Sequence, residues 1–157
     1  MASGTVRFGT YNLLDLFAAD TAEHQRHYET VVGVIRDLDA DVLAVQEILA
    51  PDAETAARRL RQLAGDTGLN CDVPGPGGSG SAGGSGSSGG SCGSGSSGGS
   101  GGSEAAIAFG GHGYHVGLMW RDGIEPVPGS LRCYGGRDFW HGLALLTLDV
   151  GGPLIRH

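Results

Sequence analysis

Two polar side chains stand at the ends of strand-like segments, and their types suit phosphate chemistry. Asn12 directly follows Thr-Val-Arg-Phe-Gly-Thr-Tyr at residues 5–11, and Glu47 comes just after the apolar run Val-Leu-Ala-Val at residues 42–45. A carboxylate is a preferred ligand of Mg²⁺, which takes one or two protein carboxylates beside water and phosphate oxygens. A neutral amide orients a water or a phosphate oxygen without adding charge repulsion. The pair therefore predicts a site for a divalent cation and its oxygen ligands.

The segments around these residues predict how they come together. Residues 5–11 alternate as a strand does, residues 22–38 carry apolar side chains at helical spacing, and residues 42–45 form a short buried strand. A parallel strand pair joined by a right-handed helical crossover places both strand ends at one edge of the sheet. We therefore expect Asn12 and Glu47 to be neighbours. The alternative is that Asn12 only forms a turn and Glu47 is a solvated strand end.

The remaining elements predict an α+β fold. Asp52 is a suitable N-cap for a helix over about residues 53–64, which Gly65 or Gly68 would end. Strands are predicted at residues 69–73, 105–109, 114–121 and 143–150, and another begins at residue 154. Asp122-Gly123 predicts a hairpin that would pair residues 124–127 with residues 114–121. Residues 77–103 are almost entirely Gly and Ser and predict a disordered linker in place of a surface loop.

Two segments carry a family resemblance. Residues 6–14, Val-Arg-Phe-Gly-Thr-Tyr-Asn-Leu-Leu, and residues 39–48, Asp-Ala-Asp-Val-Leu-Ala-Val-Gln-Glu-Ile, resemble the first two strands of the endonuclease/exonuclease/phosphatase superfamily. In that family an Asn ends the first strand and a Glu ends the second, and Asn12 and Glu47 match them. The resemblance implies the N-terminal part of a four-layer α/β/β/α sandwich of the DNase I-like type. Residues 1–157 would then be a single incomplete domain, interrupted by the Gly/Ser tract at residues 77–103.

The resemblance also implies an activity. The chain would be a divalent-metal-dependent phosphoesterase that uses Mg²⁺ or Mn²⁺ and hydrolyses a phosphate ester, either in nucleic acid or in a small molecule. Glu47 and Asn12 would be its catalytic and metal-site residues. The resemblance does not discriminate between these substrates.

The family's later motifs do not occur in this sequence. A Gly-Asp-Phe-Asn-type motif and a terminal Asp-His pair are missing. Gly136-Arg137-Asp138-Phe139 resembles the first motif only superficially, because Arg137 interrupts it and no Asn follows, so Asp138 is assigned no role. His157 is a tempting match to a family His on a middle strand, but we expect the chain to stop short of that position. We therefore predict that the chain alone is weakly active or inactive. The alternative is a non-catalytic family member that serves as a binding or assembly module and self-associates through an exposed sheet edge.

Charge and hydropathy narrow the choice of partners. The formal net charge is −7 and every basic residue is an Arg, scattered along the chain. An acidic chain disfavours generic nucleic-acid binding but is compatible with a metal site. No apolar stretch approaches membrane-spanning length and no signal peptide is evident, so a cytoplasmic location is expected.

Three further groups of side chains have alternative interpretations. His141 either contacts substrate phosphate at the sheet edge or packs, and packing is favoured. His112 and His115 are either a weak metal pair or structural. The Trp and Tyr side chains are predicted to be core residues rather than platforms for base stacking.

Overall fold

A computed structural model of the chain describes residues 5–17, 20–74, 103–136 and 139–151. Its elements, in chain order, are β1 (Phe8–Leu16), α1 (Ala22–Leu38), β2 (Val42–Leu49), α2 (Ala53–Thr67), β3 (Asp72–Pro74), β4 (Ser103–Ala105), β5 (Ile107–Phe109), β6 (Tyr114–Trp120), β7 (Glu125–Pro126), β8 (Arg132–Tyr134), β9 (Leu143–Leu145) and β10 (Leu148–Asp149). The mixed α+β class is confirmed. Within these residues, neither helix is long and apolar enough to cross a bilayer.

Helix α1 has the predicted limits, and local capping explains both ends. The Thr21 hydroxyl accepts a hydrogen bond from the backbone N–H of His24 at 3.2 Å, which satisfies one of the free amides of the first turn. Asp39 ends the helix in the left-handed conformation, with φ 48°. Val31 and Ile35 of the predicted apolar stripe are buried, whereas Leu38 at the helix end is 41% exposed.

Helix α2 is also capped as predicted, and it extends past Gly65. Asp52 accepts a hydrogen bond from the Thr55 backbone N–H at 2.8 Å. The helix ends at Gly68, which adopts φ 74° and donates its N–H to the carbonyls of Ala64 and Gly65. Glycine enters this left-handed region without a steric penalty, which explains why the helix stops there.

The central sheet has four strands in the order β1-β2-β6-β5. Strands β1 and β2 are parallel, as predicted, with Phe8 opposite Val42 and Asn12 opposite Gln46. Strand β6 is antiparallel to both β2 and β5. The parallel pair therefore directs the ends of β1 and β2 to the same edge of the sheet.

Both faces of the sheet are covered. One face packs against the two helices in a cluster that includes Leu43, Val45, Leu60 and Met119. The other face buries Val42, Val73, Ala106 and Trp120, with Ile124, Leu131, Leu146 and Leu148 packed against them. Alternate residues of β2 and β6 belong to opposite clusters, and the strand predicted at residues 114–121 is confirmed as β6.

The predicted hairpin between residues 114–121 and 124–127 is wrong. The chain turns at Gly123, where φ is 87°, but β7 pairs antiparallel with β10 rather than with β6. Strand β6 already has a neighbour on each side, so it offers no free edge for a hairpin partner. The single strand predicted at residues 143–150 is likewise divided into β9 and β10, which pair with β8 and β7.

The Gly/Ser tract connects strands that are neighbours. Pro74 of β3 lies directly opposite Ser103 of β4, so Ser103, which the linker prediction included, belongs to a strand. The antiparallel pairing of β3 with β4 explains this one-residue correction. Residues 77–102 of the predicted linker, Asp138, the predicted strand from residue 154 and His157 lie outside the described residues.

Candidate functional site

Asn12 ends the regular part of β1 and organises the turn that follows. Its Oδ1 accepts a hydrogen bond from the Leu14 backbone N–H at 2.9 Å, a local pattern that Asn favours. Leu14 and Asp15 then adopt the left-handed region, with φ 51° and 55°. The register between β1 and β2 shifts between Asn12 and Leu16, and His27 of α1 donates to the Leu13 carbonyl at 2.8 Å. The bulge and the helix together fix the direction in which the Asn12 amide points.

Glu47 lies beside Asn12, as the strand order predicted. The Asn12 Nδ2 donates a hydrogen bond to Glu47 Oε1 at 2.8 Å, and the Asp15 backbone N–H donates to Glu47 Oε2 at 3.2 Å. The Glu47 side chain is 19% exposed, so it is mostly buried but partly open to solvent. The expected meeting of the two side chains is thus present, while their catalytic and metal-binding roles remain predictions.

The Glu47 backbone is strained. Its φ is 66°, a conformation in which an L-residue other than Gly, Asn or Asp is uncommon, and the β2–β6 register shifts between Val45 and Ile48 around it. Such a conformation costs on the order of 1–3 kcal/mol and is concentrated at functional sites. The strain and the bulge turn the carboxylate toward Asn12 instead of leaving it on the regular face of the strand.

His141 is brought to the carboxylate by the segment that precedes β9. Its backbone bridges to Tyr114, and its Nε2 lies 3.8 Å from Glu47 Oε1. This nitrogen is buried and has no hydrogen-bond partner. A buried polar nitrogen without a partner is rare, because it loses its hydrogen bond to water and gains none in return. His141 thus packs beside the site carboxylate, and its contact with substrate phosphate stays a prediction.

Asp15 and Tyr114 complete the polar side of the site. The negative charge of Asp15 raises the pKa of the Tyr114 phenol, and partial desolvation, a hydrogen bond to Asp15 and the charge of Glu47 raise it further. Tyr114 could not be predicted as a site residue, because strand alternation indicates only which face a residue is on, not which side chains lie beyond the strand end.

Three rings form what we call the aromatic platform: His112, Tyr114 and Trp140. The Trp140 ring stacks on His112 with centroids 4.4 Å apart and planes 28° apart, and it lies 5.9 Å from Tyr114 at 24°. Trp140 is 59% exposed, whereas Trp120 is 2% exposed. The prediction that the Trp side chains are core residues is therefore confirmed for Trp120 and wrong for Trp140, which no strand or helix carries inward.

His115 is structural, and the suggested metal pair with His112 does not form. The His115 side chain is buried, its Nδ1 accepts from the Gly110 N–H at 3.3 Å, and its Nε2 donates to the Ala50 carbonyl at 3.0 Å. Burial lowers the pKa of the His115 imidazole. Both ring nitrogens are thus engaged with backbone, and His112 stacks on Trp140 instead. The ring of His115 fixes the bend at residues 110–113 that carries the platform.

The donor set is compatible with a hard cation that keeps most of its waters. Each Glu47 oxygen accepts one of the two hydrogen bonds just described, so the carboxylate retains lone pairs for a cation. Over the described ranges, no three His, Cys, Asp or Glu side chains converge as a complete metal cage. One carboxylate with waters and substrate oxygens is a common arrangement for Mg²⁺, but not for zinc.

The chain was compared with protein-family models, with curated proteins and with solved structures, and none of these matches it.

Proposed function

We propose that this chain carries the metal-binding part of a divalent-metal-dependent phosphoesterase site of the endonuclease/exonuclease/phosphatase type. One observation carries the proposal: an amide and a carboxylate meet at the ends of two parallel strands, with Asn12 Nδ2 at 2.8 Å from Glu47 Oε1. These are the residue types and positions on which the family resemblance rests. The strained φ of 66° at Glu47 supports a functional rather than a structural role for the carboxylate.

Each residue of the site has a distinct task in this proposal. Glu47 would hold Mg²⁺ or Mn²⁺, which when bound supplies charge neutralisation to the phosphoryl oxygens. Asn12 orients the carboxylate through Nδ2, and the Asp15 backbone N–H holds the second carboxylate oxygen. The resemblance expects the general base and a further His to come from motifs that this sequence does not contain. The chain by itself should therefore bind metal more readily than it turns over substrate.

The fold supports the same proposal at the level of architecture. A pair of helices covers one face of the four-stranded sheet, and the short β7–β10 and β8–β9 ribbons belong to the side that buries Trp120. In a DNase I-like sandwich a second sheet would lie on this side. We propose that the ribbons are the beginning of that second sheet.

Metal binding is the direct test. Titration of Mn²⁺ into the 157-residue chain, followed by the loss of the free-ion electron paramagnetic resonance signal, should show one weak site that Mg²⁺ displaces. Glu47→Gln should abolish it, because the amide keeps the shape of the side chain and removes its charge. Glu125→Gln is the matched control, since Glu125 is an exposed glutamate on β7. Equal Mn²⁺ binding by Glu47→Gln and wild type would overturn the proposal.

Hydrolysis is a second and independent measurement. The chain should show little or no turnover of bis(p-nitrophenyl) phosphate with Mg²⁺ or Mn²⁺. Rapid turnover that disappears in Glu47→Gln would show that the site is complete within these residues. Metal-independent turnover that survives the substitution would count against Glu47 as the metal ligand.

The second candidate function is a binding or assembly module. Strand β1 is an outer strand of the sheet, and Phe8 and Leu14 on it are each 70% exposed. An outer strand with exposed apolar side chains is a template for pairing with another chain. Size-exclusion chromatography with light scattering tests self-association: a dimer that Phe8→Lys dissociates would favour this candidate, and a monomer at all concentrations would exclude assembly through β1.

A further inference from the structure

The aromatic platform borders the carboxylate site and remains open to solvent. Trp140 is 59% exposed although the rings of His112 and Tyr114 both stack against it, with centroids 4.4 Å and 5.9 Å away. An indole with both faces covered would not keep so large an exposed fraction. A substantial part of the ring surface is therefore available to a ligand.

A single residue links the platform to Glu47. The Tyr114 ring meets the His141 ring edge-on, with centroids 5.7 Å apart and planes at 68°. The Nε2 of His141 in turn lies 3.8 Å from Glu47 Oε1. A ligand small enough to lie across His141 would reach the rings with one end and the Asn12–Glu47 pair with the other.

The unpartnered nitrogen of His141 indicates which chemical group the ligand carries at its end beside Glu47. Nε2 is buried and makes no hydrogen bond, although it points toward the polar side of the site. Because the His141 side chain is 36% exposed, a rotation of the imidazole would open Nε2 to an oxygen of a bound ligand, which would supply the missing partner. A phosphate group bound beside Glu47 carries such oxygens.

We propose that the aromatic platform binds the nucleobase of a small nucleotide whose phosphate lies at the Asn12–Glu47 pair, with His141 contacting a phosphate oxygen. This substrate class rests on the proposed phosphoesterase function. Nucleobases stack on aromatic side chains through their planar faces, and a base placed on Trp140 extends a stack of rings that already exists. The net charge of −7 favours a single nucleotide over a long polyanionic strand.

The test compares three ligands that divide the nucleotide into its parts. Adenosine 5′-monophosphate, adenosine and ribose 5-phosphate are titrated into the full 157-residue chain with Mg²⁺ present, and affinities are measured by calorimetry. The monophosphate should bind most tightly, adenosine should bind detectably, and ribose 5-phosphate should bind at least about tenfold more weakly than the monophosphate. Quenching of tryptophan fluorescence should accompany binding of the two ligands that contain the base, because Trp120 is 2% exposed and Trp140 is open.

Substitutions then assign the effect to the platform. Trp140→Leu should weaken binding of adenosine 5′-monophosphate by about tenfold or more, and Trp140→Phe should restore most of it because a ring is retained. Phe8→Leu is the matched control, since Phe8 is an exposed ring at the opposite end of β1 and should leave the affinity unchanged. Circular dichroism establishes that each variant is folded.

The results of these binding measurements distinguish a failure of the nucleobase site from a failure of the proposed phosphoesterase function. Equal binding of ribose 5-phosphate and the monophosphate, or no binding by either base-containing ligand, overturns the nucleobase site even if Trp140→Leu fails to fold. Unchanged affinity in folded Trp140→Leu also overturns it. If both ligands bind through Trp140 while Glu47→Gln alters neither metal binding nor the affinity for the monophosphate, the nucleobase site stands and the phosphoesterase proposal fails.

Discussion

The Asn12 amide donates a hydrogen bond to the Glu47 carboxylate at 2.8 Å, although the two residues lie 35 positions apart in the chain. The parallel pairing of β1 with β2 brings both strand ends to one edge, and a bulge in each strand pairing turns the two side chains toward each other. The contact is thus a consequence of topology and of two local irregularities, and each can be tested separately.

Replacing the amide by a second carboxylate should create repulsion at this contact. In Asn12→Asp, two like charges would meet at hydrogen-bond distance, so we expect a loss of about 1–2 kcal/mol in the free energy of unfolding at neutral pH. Repulsion raises the pKa of the pair in the folded state, so the loss is complete above that pKa and is relieved as the pH falls through it. Urea unfolding across this range is the measurement. Asn12→Ala, which introduces no charge, serves as the control and should lack the pH-dependent recovery.

The positive φ of Glu47 predicts an unusual preference for glycine. Both Glu47→Gly and Glu47→Ala remove the carboxylate, so their difference isolates the backbone. At φ 66° glycine should be the more stable variant by about 1 kcal/mol, because it has no Cβ to clash in the left-handed region. At the neighbouring Gln46, which does not share the positive φ, alanine should be the more stable. If Glu47→Ala were more stable than Glu47→Gly in chemical denaturation, the backbone at residue 47 would not be strained.

Gly110 holds the platform segment against the sheet, and a methyl group there should displace it. A Cβ at this position would overlap with the backbone carbonyl oxygens of Tyr114 and Trp140, neither of which is a flexible side-chain end. Gly110→Ala should therefore cost about 1–3 kcal/mol and shift the Trp140 fluorescence spectrum. Wild-type stability and an unchanged spectrum would show that the two backbone segments are not in close contact.

Two other glycines should behave in the opposite way. Gly33 in α1 and Gly65 in α2 have nothing within 4 Å of the position that a Cβ would take. Alanine favours the helical backbone over glycine, so Gly33→Ala and Gly65→Ala should each stabilise the chain by about 0.5–1 kcal/mol. Thermal unfolding measures the gain, and these variants double as controls for Gly110→Ala. A loss of stability in either variant would show that the space beside that glycine is not empty.

The cap of α2 predicts a specific acid dependence. Hydrogen bonds from the Thr55 backbone N–H, then from its hydroxyl, hold the pKa of Asp52 below its ordinary value. A lowered folded pKa gives stability that is fully present above the unfolded value of about 3.9 and is lost as the pH falls through the folded value. Asp52→Asn keeps an acceptor for Thr55 without a titrating group. Unfolding measured from about pH 6 to about pH 2 should show a smaller acid-induced loss in this variant. If wild type and Asp52→Asn lost stability in parallel as the pH fell, the lowered pKa of Asp52 would be contradicted.

Local sequence determined the elements around the site. Asp52 and Gly68 predict the limits of α2 because capping depends on side chains and backbone within one turn. The meeting of Asn12 with Glu47 was also predictable, since a helical crossover between parallel strands leaves little freedom in where the two strand ends lie. These features depend on short-range geometry and on one general rule of topology.

Tertiary structure alone decided which other groups surround that pair. His141 and Trp140 reach Glu47 and Tyr114 because the segment before β9 crosses the end of β6, a contact that no periodicity in the sequence encodes. Likewise β7 pairs with β10 because both edges of β6 were already occupied. Pairing between distant segments depends on which surfaces remain free after the rest of the chain has packed. The sequence by itself therefore determined the two side chains at the strand ends, whereas packing determined the ring platform and the unpartnered imidazole beside them.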